Sequence, residues 1–468
     1  MQGSKLIKIL DAMDTSQYAL VVGSAGGDVL TAAFAKRRVV HAGVRGKPIA
    51  PAEYQAVWQS VWKQKPQPKP RVVYIHIPFC RHSCLYCGFF QKYPGQDLET
   101  IYVDHLIKEL QMSQGSSQLA GAPVNAVFIG GGTPSILTPH NVARLLTAIR
   151  ECLPLANDYE LTLEGRVHDL VPDKMEAWLA NGVNRVSIGV QSFDTQVRRD
   201  VGRLDDTKTV LSRLKQLTAY NQAVVIIDLI YGLPNQDGEV WANDIDLLKT
   251  AAIDGLDLYQ LNIFKDSVLE QAIKAGKLAP AATTAEQALM FAKAEAELSD
   301  CGFSRLSSCH WGKTCRERSM YNTLTKSGSS VIPFGAGAGG MLGGMTMFLH
   351  QDLEKYLQSI EQGLKPIAVM SLQPAESDLH SMVVGQVERG YISLHELAAH
   401  YGPQVLELKP LIAIWQERGL LQAGRTSARL TAAGQFWHTN LAQSVLECLH
   451  ALLDGEQLVE VQPIAAQG

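Results

Sequence analysis

From residue 71 to about residue 308, short apolar segments alternate with longer amphipathic ones, and no other feature of the chain restricts its fold as strongly. The apolar segments are nearly continuous runs of branched and aromatic residues, which is typical of strands buried on both faces of a parallel sheet. The segments between them have the apolar spacing of amphipathic helices. The predicted strands lie at 72–77, 126–131, 159–165, 185–190, 223–232, 256–264 and 303–308.

Six or more strand–helix units predict an α/β fold with a full or partial barrel of the (β/α)6 type, at 71–345. In such barrels the active site gathers at the carboxyl ends of the strands, so residues that directly follow a strand are candidates for function. Residues 1–70 are predicted to form an N-terminal extension that ends in the linker-like sequence KQKPQPKP. Residues 346–468 are predicted to form a mainly helical, winged-helix-like domain.

Charge and hydropathy exclude several classes of partner. The formal net charge of −4 provides no general attraction for a phosphate backbone, so nucleic acid is not an expected partner. No apolar run reaches the roughly 18 residues that a membrane helix needs, and the N-terminus lacks the pattern of a secretory signal. We therefore expect a cytoplasmic protein without a membrane span, in which clustered cysteines are metal ligands or catalysts and not disulfides.

Three of the eight cysteines, Cys80, Cys84 and Cys87, lie within eight residues directly after the first predicted strand. A [4Fe–4S] cluster binds one thiolate at each iron. Three thiolates therefore leave one iron open for a small chelating ligand, and the amino and carboxylate groups of S-adenosylmethionine suit it. The alternative is a structural zinc site in which His82 or His76 is the fourth ligand.

Five motifs along the chain resemble, in order, those of radical S-adenosylmethionine enzymes, in particular the oxygen-independent coproporphyrinogen III dehydrogenase family. The resemblance covers about residues 71–345. The motifs are YIHIPFCRHSCLYCGF, FIGGGTPSIL, LEGRV, RVSIGVQSFDTQVRRDVGR and IDLIYGLP. The family implies a [4Fe–4S] cluster on Cys80, Cys84 and Cys87, whose chemistry cleaves S-adenosylmethionine to methionine and a 5′-deoxyadenosyl radical.

The resemblance also implies two molecules of S-adenosylmethionine. Glycines at 130–132 allow close approach of the backbone, and free N–H and C=O groups there are expected to bond the ammonium of the methionine portion. Gln191, Arg203 and Asp228 match family residues that hold the second molecule. The full set of implied cofactor contacts is Tyr74, Tyr86, Gly131, Gly132, Thr133, Glu164, Gln191, Arg203, Asp228, Asn262 and Gly339.

Three segments resemble the anaerobic heme-degradation methyltransferases (ChuW/HutW type) more than the other branches. They are the glycine-rich run at 334–344, which makes room near Gly339 for a larger substrate, the segment at 306–322 and the sequence GFFQKY at 88–93. The long N-terminal extension agrees with them. This branch implies a heme substrate, oxygen-free opening of the macrocycle with methyl transfer and iron release, and an electron donor such as flavodoxin or ferredoxin.

Other functions of the same motifs stay open at this point. The chain is otherwise interpreted as coproporphyrinogen III dehydrogenase itself, as a heme-trafficking chaperone that retains a cluster or, more remotely, as a zinc-stabilised structural protein. For a heme substrate, the segment from Cys309 to Arg318 is the expected contact. Candidate iron ligands are Cys309, His310 and Cys315, and candidate propionate partners are Arg305, Arg316 and Arg318.

Overall fold

The computed structural model describes residues 4–87, 91–92 and 95–454. The GFFQKY motif therefore lies mostly outside the described residues, which include only Gln91 and Lys92 of it. The N-terminal extension folds into short helices and one short strand. These are α1 (Lys5–Asp11), α2 (Thr15–Val22), α3 (Val29–Ala32), β1 (Lys47–Pro48) and α4 (Tyr54–Lys63).

Six parallel strands form the centre of the molecule, as the alternation predicts. All seven residues of the strand β7 (Arg185–Gln191) are buried, and its polar residues are buried together with the apolar ones. Two short strands, β3 (Phe79–Cys80) and β4 (Gln91–Lys92), pair with each other in the loop after the first central strand. The central strands are β2 (Arg71–Ile77), β5 (Val124–Gly131), β6 (Leu155–Arg166), β7 (Arg185–Gln191), β8 (Val224–Tyr231) and β9 (Gly255–Gln260).

Helices connect these strands and cover the outer face of the sheet. The helix α7 begins after the N-cap Thr138 with a proline at its first position, and it buries an apolar stripe that includes Leu145 and Ile149. The helices are α5 (Gln96–Ser113), α6 (Ser117–Ala120), α7 (Pro139–Cys152), α8 (Pro172–Ala180), α9 (Thr195–Asp200), α10 (Thr207–Ala219), α11 (Gly238–Thr250), α12 (Val268–Lys274) and α13 (Thr284–Asp300).

Further strands extend the sheet at both edges. At one edge β11 pairs with β9 in the antiparallel sense; at the other β12 pairs with β2 in the parallel sense and is followed by three antiparallel strands and β1. The sheet thus crosses both predicted domain boundaries, and the division at 70 and 345 stays a prediction. These elements are β10 (Ser304–Arg305), β11 (His310–Gly312), α14 (Met320–Lys326), β12 (Ser330–Phe334), β13 (Gly339–Leu342), β14 (Met345–Leu349), α15 (Leu353–Glu361) and β15 (Ile367–Leu372).

The C-terminal region is mainly helical, as expected, and contains a small three-stranded antiparallel sheet of the winged-helix kind. Its last helix packs against the N-terminal extension, where Arg38 forms an ion pair with Glu447 at 2.7 Å. Among the described residues, no helix has the length and hydropathy of a membrane span. The elements are α16 (Ser377–Glu388), β16 (Tyr391–Ile392), α17 (Leu394–Tyr401), α18 (Lys409–Glu417), β17 (Leu421–Gln422), β18 (Ala428–Leu430), α19 (Ala432–Phe436) and α20 (His438–Asp454).

Candidate active site at the carboxyl ends of the parallel strands

The cysteine loop follows β2 and returns towards the interior of the sheet. Cys80 and Cys84 are buried and Cys87 is half-buried. The sulfur of Cys80 lies 3.1 Å from the hydroxyl of Thr133 and 3.4 Å from the guanidinium of Arg166. Burial raises the pKa of the Cys80 thiol, while the Thr133 hydroxyl and Arg166 favour its thiolate. A metal cluster that takes up the thiolate would relieve this desolvation.

The zinc alternative finds no support in the part of the chain that the structure describes, where no three ligating side chains meet at one point. Thiolates around a four-iron cluster bind different irons, so they need not converge in that way. His82 is exposed, and the ring of His76 is held by the Tyr74 hydroxyl at 3.1 Å. Burial lowers the pKa of His76 to about 4.

The glycine motif brings the end of β5 against the cysteine loop. A Cβ atom at Gly132 would lie 2.7 Å from the carbonyl oxygens of both Pro78 and Phe79, and Gly131 has a φ of +112°. The N–H of Gly131 donates to Glu164 at 3.1 Å, and the N–H of Gly132 donates to Ile77 at 2.8 Å. The expectation that free N–H groups here bond the ammonium is therefore wrong, since both are occupied and an ammonium needs acceptors. Bonding of the ammonium by C=O groups of this motif stays a prediction.

A buried acceptor at the end of β7 and a buried donor after it have no hydrogen-bond partners. Gln191 has a left-handed backbone, with φ of +72°, and its Oε1 has no hydrogen-bond partner. Arg203 donates to the Tyr86 hydroxyl at 2.8 Å and to the Gly189 carbonyl at 3.2 Å, but its buried Nε has no partner. Unsatisfied groups of this kind fit a ligand with both acceptors and donors, such as the amino-acid portion of S-adenosylmethionine.

Two acidic side chains, Glu164 on β6 and Asp228 on β8, interact electrostatically within the same interior, on either side of β7. Burial, followed by repulsion from Asp228, raises the pKa of Glu164 to about 8. Burial and repulsion from Asp257 raise the pKa of Asp228 to about 7, against the hydrogen bond that Ser187 donates at 3.2 Å. A cationic ligand would offset the cost of ionising both groups. The sulfonium and ammonium of S-adenosylmethionine have that charge.

His310 belongs to a buried ion network and is not open to substrate. Its two ring nitrogens lie 2.8 Å from Asp257 and 3.2 Å from Glu317, and Glu317 also pairs with Arg185 at 2.9 Å. The side chain of His310 is only 1% exposed. Although burial opposes it, the attraction of Asp257 and Glu317 raises the pKa of His310 to about 9. The predicted substrate contact of His310 is therefore not supported.

The predicted propionate partners lie apart from one another. Arg316 donates to Asn221 and to the Ala223 carbonyl, at the amino end of β8 and so at the opposite end of the sheet from the cysteines. Arg318 similarly contacts Asp158. Arg305 is nearer the carboxyl ends but pairs with Glu295 at 3.1 Å.

The remaining candidate iron ligands are Cys309 and Cys315, and they differ in exposure. Cys315 is exposed, whereas Cys309 is half-buried and lines a large cleft. Of the six predicted heme contacts, only Cys309 therefore lies in a cavity that the structure describes beside the carboxyl ends of the strands.

The remaining predicted cofactor residues have the following positions. Tyr74, in β2, packs its ring on Phe128. Asn262 follows β9 and donates to the Gln260 carbonyl at 3.1 Å. Gly339 lies opposite Phe348, whose ring a Cβ atom would meet at 2.9 Å. Packing within the sheet edge thus accounts for this glycine, and a contact with cofactor or substrate stays a prediction.

The cleft beside the strand ends was not predicted from the sequence. It has an empty volume of about 900 Å³, its mouth included. The walls come from four parts of the chain, and no local pattern relates them. They are formed by the extension (Arg37, Val40, His41), the barrel (Tyr231, Leu258, Tyr259, Gln260, Asn262, Phe291, Ser308, Cys309), α14 (Asn322, Lys326) and the C-terminal region (Glu388, Gln435, Phe436, His438).

Comparison with known proteins agrees with this site. Residues 74–248 match the model of the radical SAM superfamily. Anaerobilin synthase of Escherichia coli O157:H7 is 37% identical over 408 residues, which cover 86% of this chain and 90% of that protein. The heme chaperone HemW of Lactococcus lactis is 31% identical over 59% of this chain and 71% of that protein.

The fold agrees as well. The structure of coproporphyrinogen III oxidase (HemN) from Escherichia coli, described as a radical SAM enzyme, superposes with a TM-score of 0.70 at 21% identity, over 84% of this chain and 93% of that one. The cofactors of the superfamily are a [4Fe–4S] cluster and S-adenosylmethionine, and the three cysteines and the unpartnered groups of Gln191 and Arg203 fit them. The chain therefore belongs to the radical SAM superfamily, in the same family as anaerobilin synthase.

Proposed function

We propose that the protein is a radical SAM methyltransferase that opens the heme macrocycle without oxygen and releases the iron. The observation that carries this proposal is the extent of the likeness to anaerobilin synthase. It includes 86% of the chain, whereas the superfamily model matches only residues 74–248. The likeness therefore reaches regions outside the barrel core, including parts that line the large cleft.

Each part of the site has a separate task in this reaction. Cys80, Cys84 and Cys87 would hold the cluster, with Thr133 and Arg166 stabilising the Cys80 thiolate. When bound, the cluster and S-adenosylmethionine supply one-electron reductive cleavage, and the protein's part is to orient and shield that chemistry. The buried strand ends exclude water from the reacting atoms.

A second molecule of S-adenosylmethionine is the proposed source of the methyl group. Arg203 offers the unpartnered Nε–H to its carboxylate, and Gln191 offers the unpartnered Oε1 to its ammonium. Asp228 is placed to accept from hydroxyls or the ammonium. The support for this assignment is that both orphaned atoms are buried and belong to neighbouring side chains, since a Cβ at Gly189 would lie 2.8 Å from Nε2 of Gln191 and 3.2 Å from Nη2 of Arg203.

The electron donor is proposed to be an acidic carrier such as flavodoxin or ferredoxin. A small surface pocket lies beside the cysteine loop, and its lining includes exposed Arg81, His82 and His168 together with the carboxylates Asp169 and Asp205. Arg166 spans the wall between this pocket and the cluster loop, because it contacts both the Cys80 sulfur and the His82 carbonyl. A positive surface next to the cluster favours docking of an acidic partner.

Rates of cluster reduction test this surface. We expect Arg81→Glu to slow reduction by a reduced flavodoxin, and high salt to remove most of the difference from the parent protein. Lys355→Glu, an equal charge change at the exposed start of α15, should leave the rate unchanged. Equal effects of the two variants would refute this docking surface.

Product analysis tests the catalytic proposal. The reconstituted protein is incubated anaerobically with heme, S-adenosylmethionine and reductant, and the products are identified by mass spectrometry. We expect loss of the heme Soret band, a methylated open tetrapyrrole and free iron. Release of CO2 from coproporphyrinogen III would instead indicate the dehydrogenase, and heme transfer to a client without deoxyadenosine formation would indicate a chaperone. A cytoplasmic location stays a prediction.

A further inference from the structure

The large cleft has the walls that a flat, anionic macrocycle requires. Aromatic rings of Tyr231, Tyr259, Phe291 and Phe436 line it. The cleft is open at its mouth, and its empty volume of about 900 Å³ includes that mouth. The cleft also reaches the strand ends, because Tyr259 lies at the end of β9 on the same face as Asp257 of the carboxylate interior.

Charge in the cleft favours an anion. Its described lining includes two permanent cations, Arg37 and Lys326, and one carboxylate, Glu388. Lys326 donates to Glu388 at 2.8 Å, and Ser308 donates to the same carboxylate. Arg37 is fixed by the Gln260 side chain at 2.9 Å and by nearby carbonyls. With Glu388 neutralised by its own partner, the remaining charge suits the propionates of heme.

One histidine in the cleft has the arrangement of a metal ligand. The Nδ1 atom of His438 lies 2.8 Å from the carbonyl oxygen of Gln435. A carbonyl only accepts hydrogen bonds, so Nδ1 holds the proton and Nε2 has a free lone pair. Nε2 lies 3.9 Å from Glu388, too far for a hydrogen bond. Metal-ligating histidines typically donate their second nitrogen to a carbonyl in this way.

The cleft offers two other candidate ligands. Burial raises the pKa of Cys309 to about 12, which keeps that thiol protonated. His41 is an exposed residue of the extension, and among the described residues no group forms a hydrogen bond with one ring nitrogen that would orient the other towards a metal.

We propose that heme binds in this cleft with its iron ligated by Nε2 of His438. The proposal rests on the proposed function in that heme is the ligand, but it assigns a site and an iron ligand that the functional proposal does not require. The extension and the C-terminal helix α20, which begins at His438, thereby become parts of the substrate site.

Spectroscopic titration of the full-length protein tests the proposal without turnover. Ferric heme and metal-free protoporphyrin are each added anaerobically, in the absence of S-adenosylmethionine, to the parent protein, His438→Ala, His41→Ala and Cys309→Ala. We expect His438→Ala to shift the Soret band and to weaken heme binding about tenfold, the scale of a lost contribution to a metal site. Binding of the metal-free porphyrin should change by less than about twofold, since it has no iron to ligate.

The matched variants separate the alternatives. His41→Ala and Cys309→Ala should keep the parent spectrum, and imidazole should restore the parent Soret position in His438→Ala. If His438→Ala keeps the Soret spectrum of the parent protein, the assignment is overturned. It is also overturned if the Soret band shifts in His41→Ala or Cys309→Ala and not in His438→Ala. If His438→Ala does not fold, magnetic circular dichroism of the parent heme complex identifies the type of iron ligand. A thiolate ligand, or the absence of a nitrogen ligand, would contradict ligation by His438. If the parent protein does not bind heme at all, the proposed function is contradicted as well.

Discussion

Replacement of Asp228 by asparagine should stabilise the cofactor-free protein at neutral and higher pH. The pKa of Asp228 is raised from 3.8 to about 7 by burial and by Asp257. Above pH 3.8 the unfolded chain releases this proton while the folded protein retains it, so stability is lost as the pH rises towards 7. Each pKa unit corresponds to about 1.4 kcal/mol, which would give ~4 kcal/mol.

The side chain of Asp228 is half-buried, so solvent screening reduces the expected gain to ~2 kcal/mol at pH 8. The gain should shrink as the pH falls, become small near pH 4 and vanish only well below pH 3.8, where the carboxyl is protonated in both states. Thermal unfolding of the cofactor-free protein at several pH values measures this. Asp206→Asn, a charge change at the exposed N-cap of α10, serves as the control because asparagine also caps helices well.

The cost of the same substitution should appear in ligand binding. Asparagine removes a negative charge beside the proposed second S-adenosylmethionine, so its affinity and methyl transfer should fall while cleavage of the first molecule continues. A variant that is no more stable than the parent at pH 8, or equally stabilised at pH 4, would refute the electrostatic reasoning. Normal methylation would refute the role of Asp228 in the two-cofactor site.

Three other substitutions have expected outcomes that follow from the structure. Cys84→Ala should abolish cluster absorbance and deoxyadenosine formation with the fold intact by circular dichroism, whereas exposed Cys315→Ala should retain both. Gly132→Ala places a Cβ 2.7 Å from two loop carbonyl oxygens, so it should lower the free energy of unfolding by ~1–3 kcal/mol and lower the iron content. Gly238→Ala, which has open space around the new Cβ, should change neither. Glu317→Gln removes the carboxylate that pairs with the buried cations Arg185 and His310, and it should lower the free energy of unfolding by ~3 kcal/mol. Denaturant titration measures this, and an unchanged midpoint would show that the network contributes no stability.

The sequence predicted the central strands because each requires only a local pattern. The predicted strand at 185–190 is fully buried as part of β7, including its polar Arg185 and Ser187. The run at 256–264 shows the limit of this reasoning, since β9 ends at Gln260 and the apolar residues Ile263 and Phe264 beyond it are exposed. Apolar composition alone does not show where a strand leaves the sheet.

The cluster loop and its surroundings were also readable from local sequence, but single charged residues were not. His310 and Arg316 lie six positions apart in one segment, yet His310 is buried among Asp257 and Glu317 while Arg316 contacts the amino end of β8. Their directions depend on β11 pairing antiparallel to β9. That pairing is a long-range contact with no signal in the segment itself.

By itself, then, the sequence determined the alternation of strands and helices, the three thiols in one loop and the glycines that let β5 approach that loop, because spacing and backbone freedom are local properties. Only the tertiary structure decided which polar groups remain without partners inside the barrel and which segments enclose the cleft. Gln191 with Arg203 is an example of the first, and His41 with His438 of the second. The reason is that burial and free hydrogen-bonding capacity depend on everything packed around a residue, including chain that is hundreds of positions away.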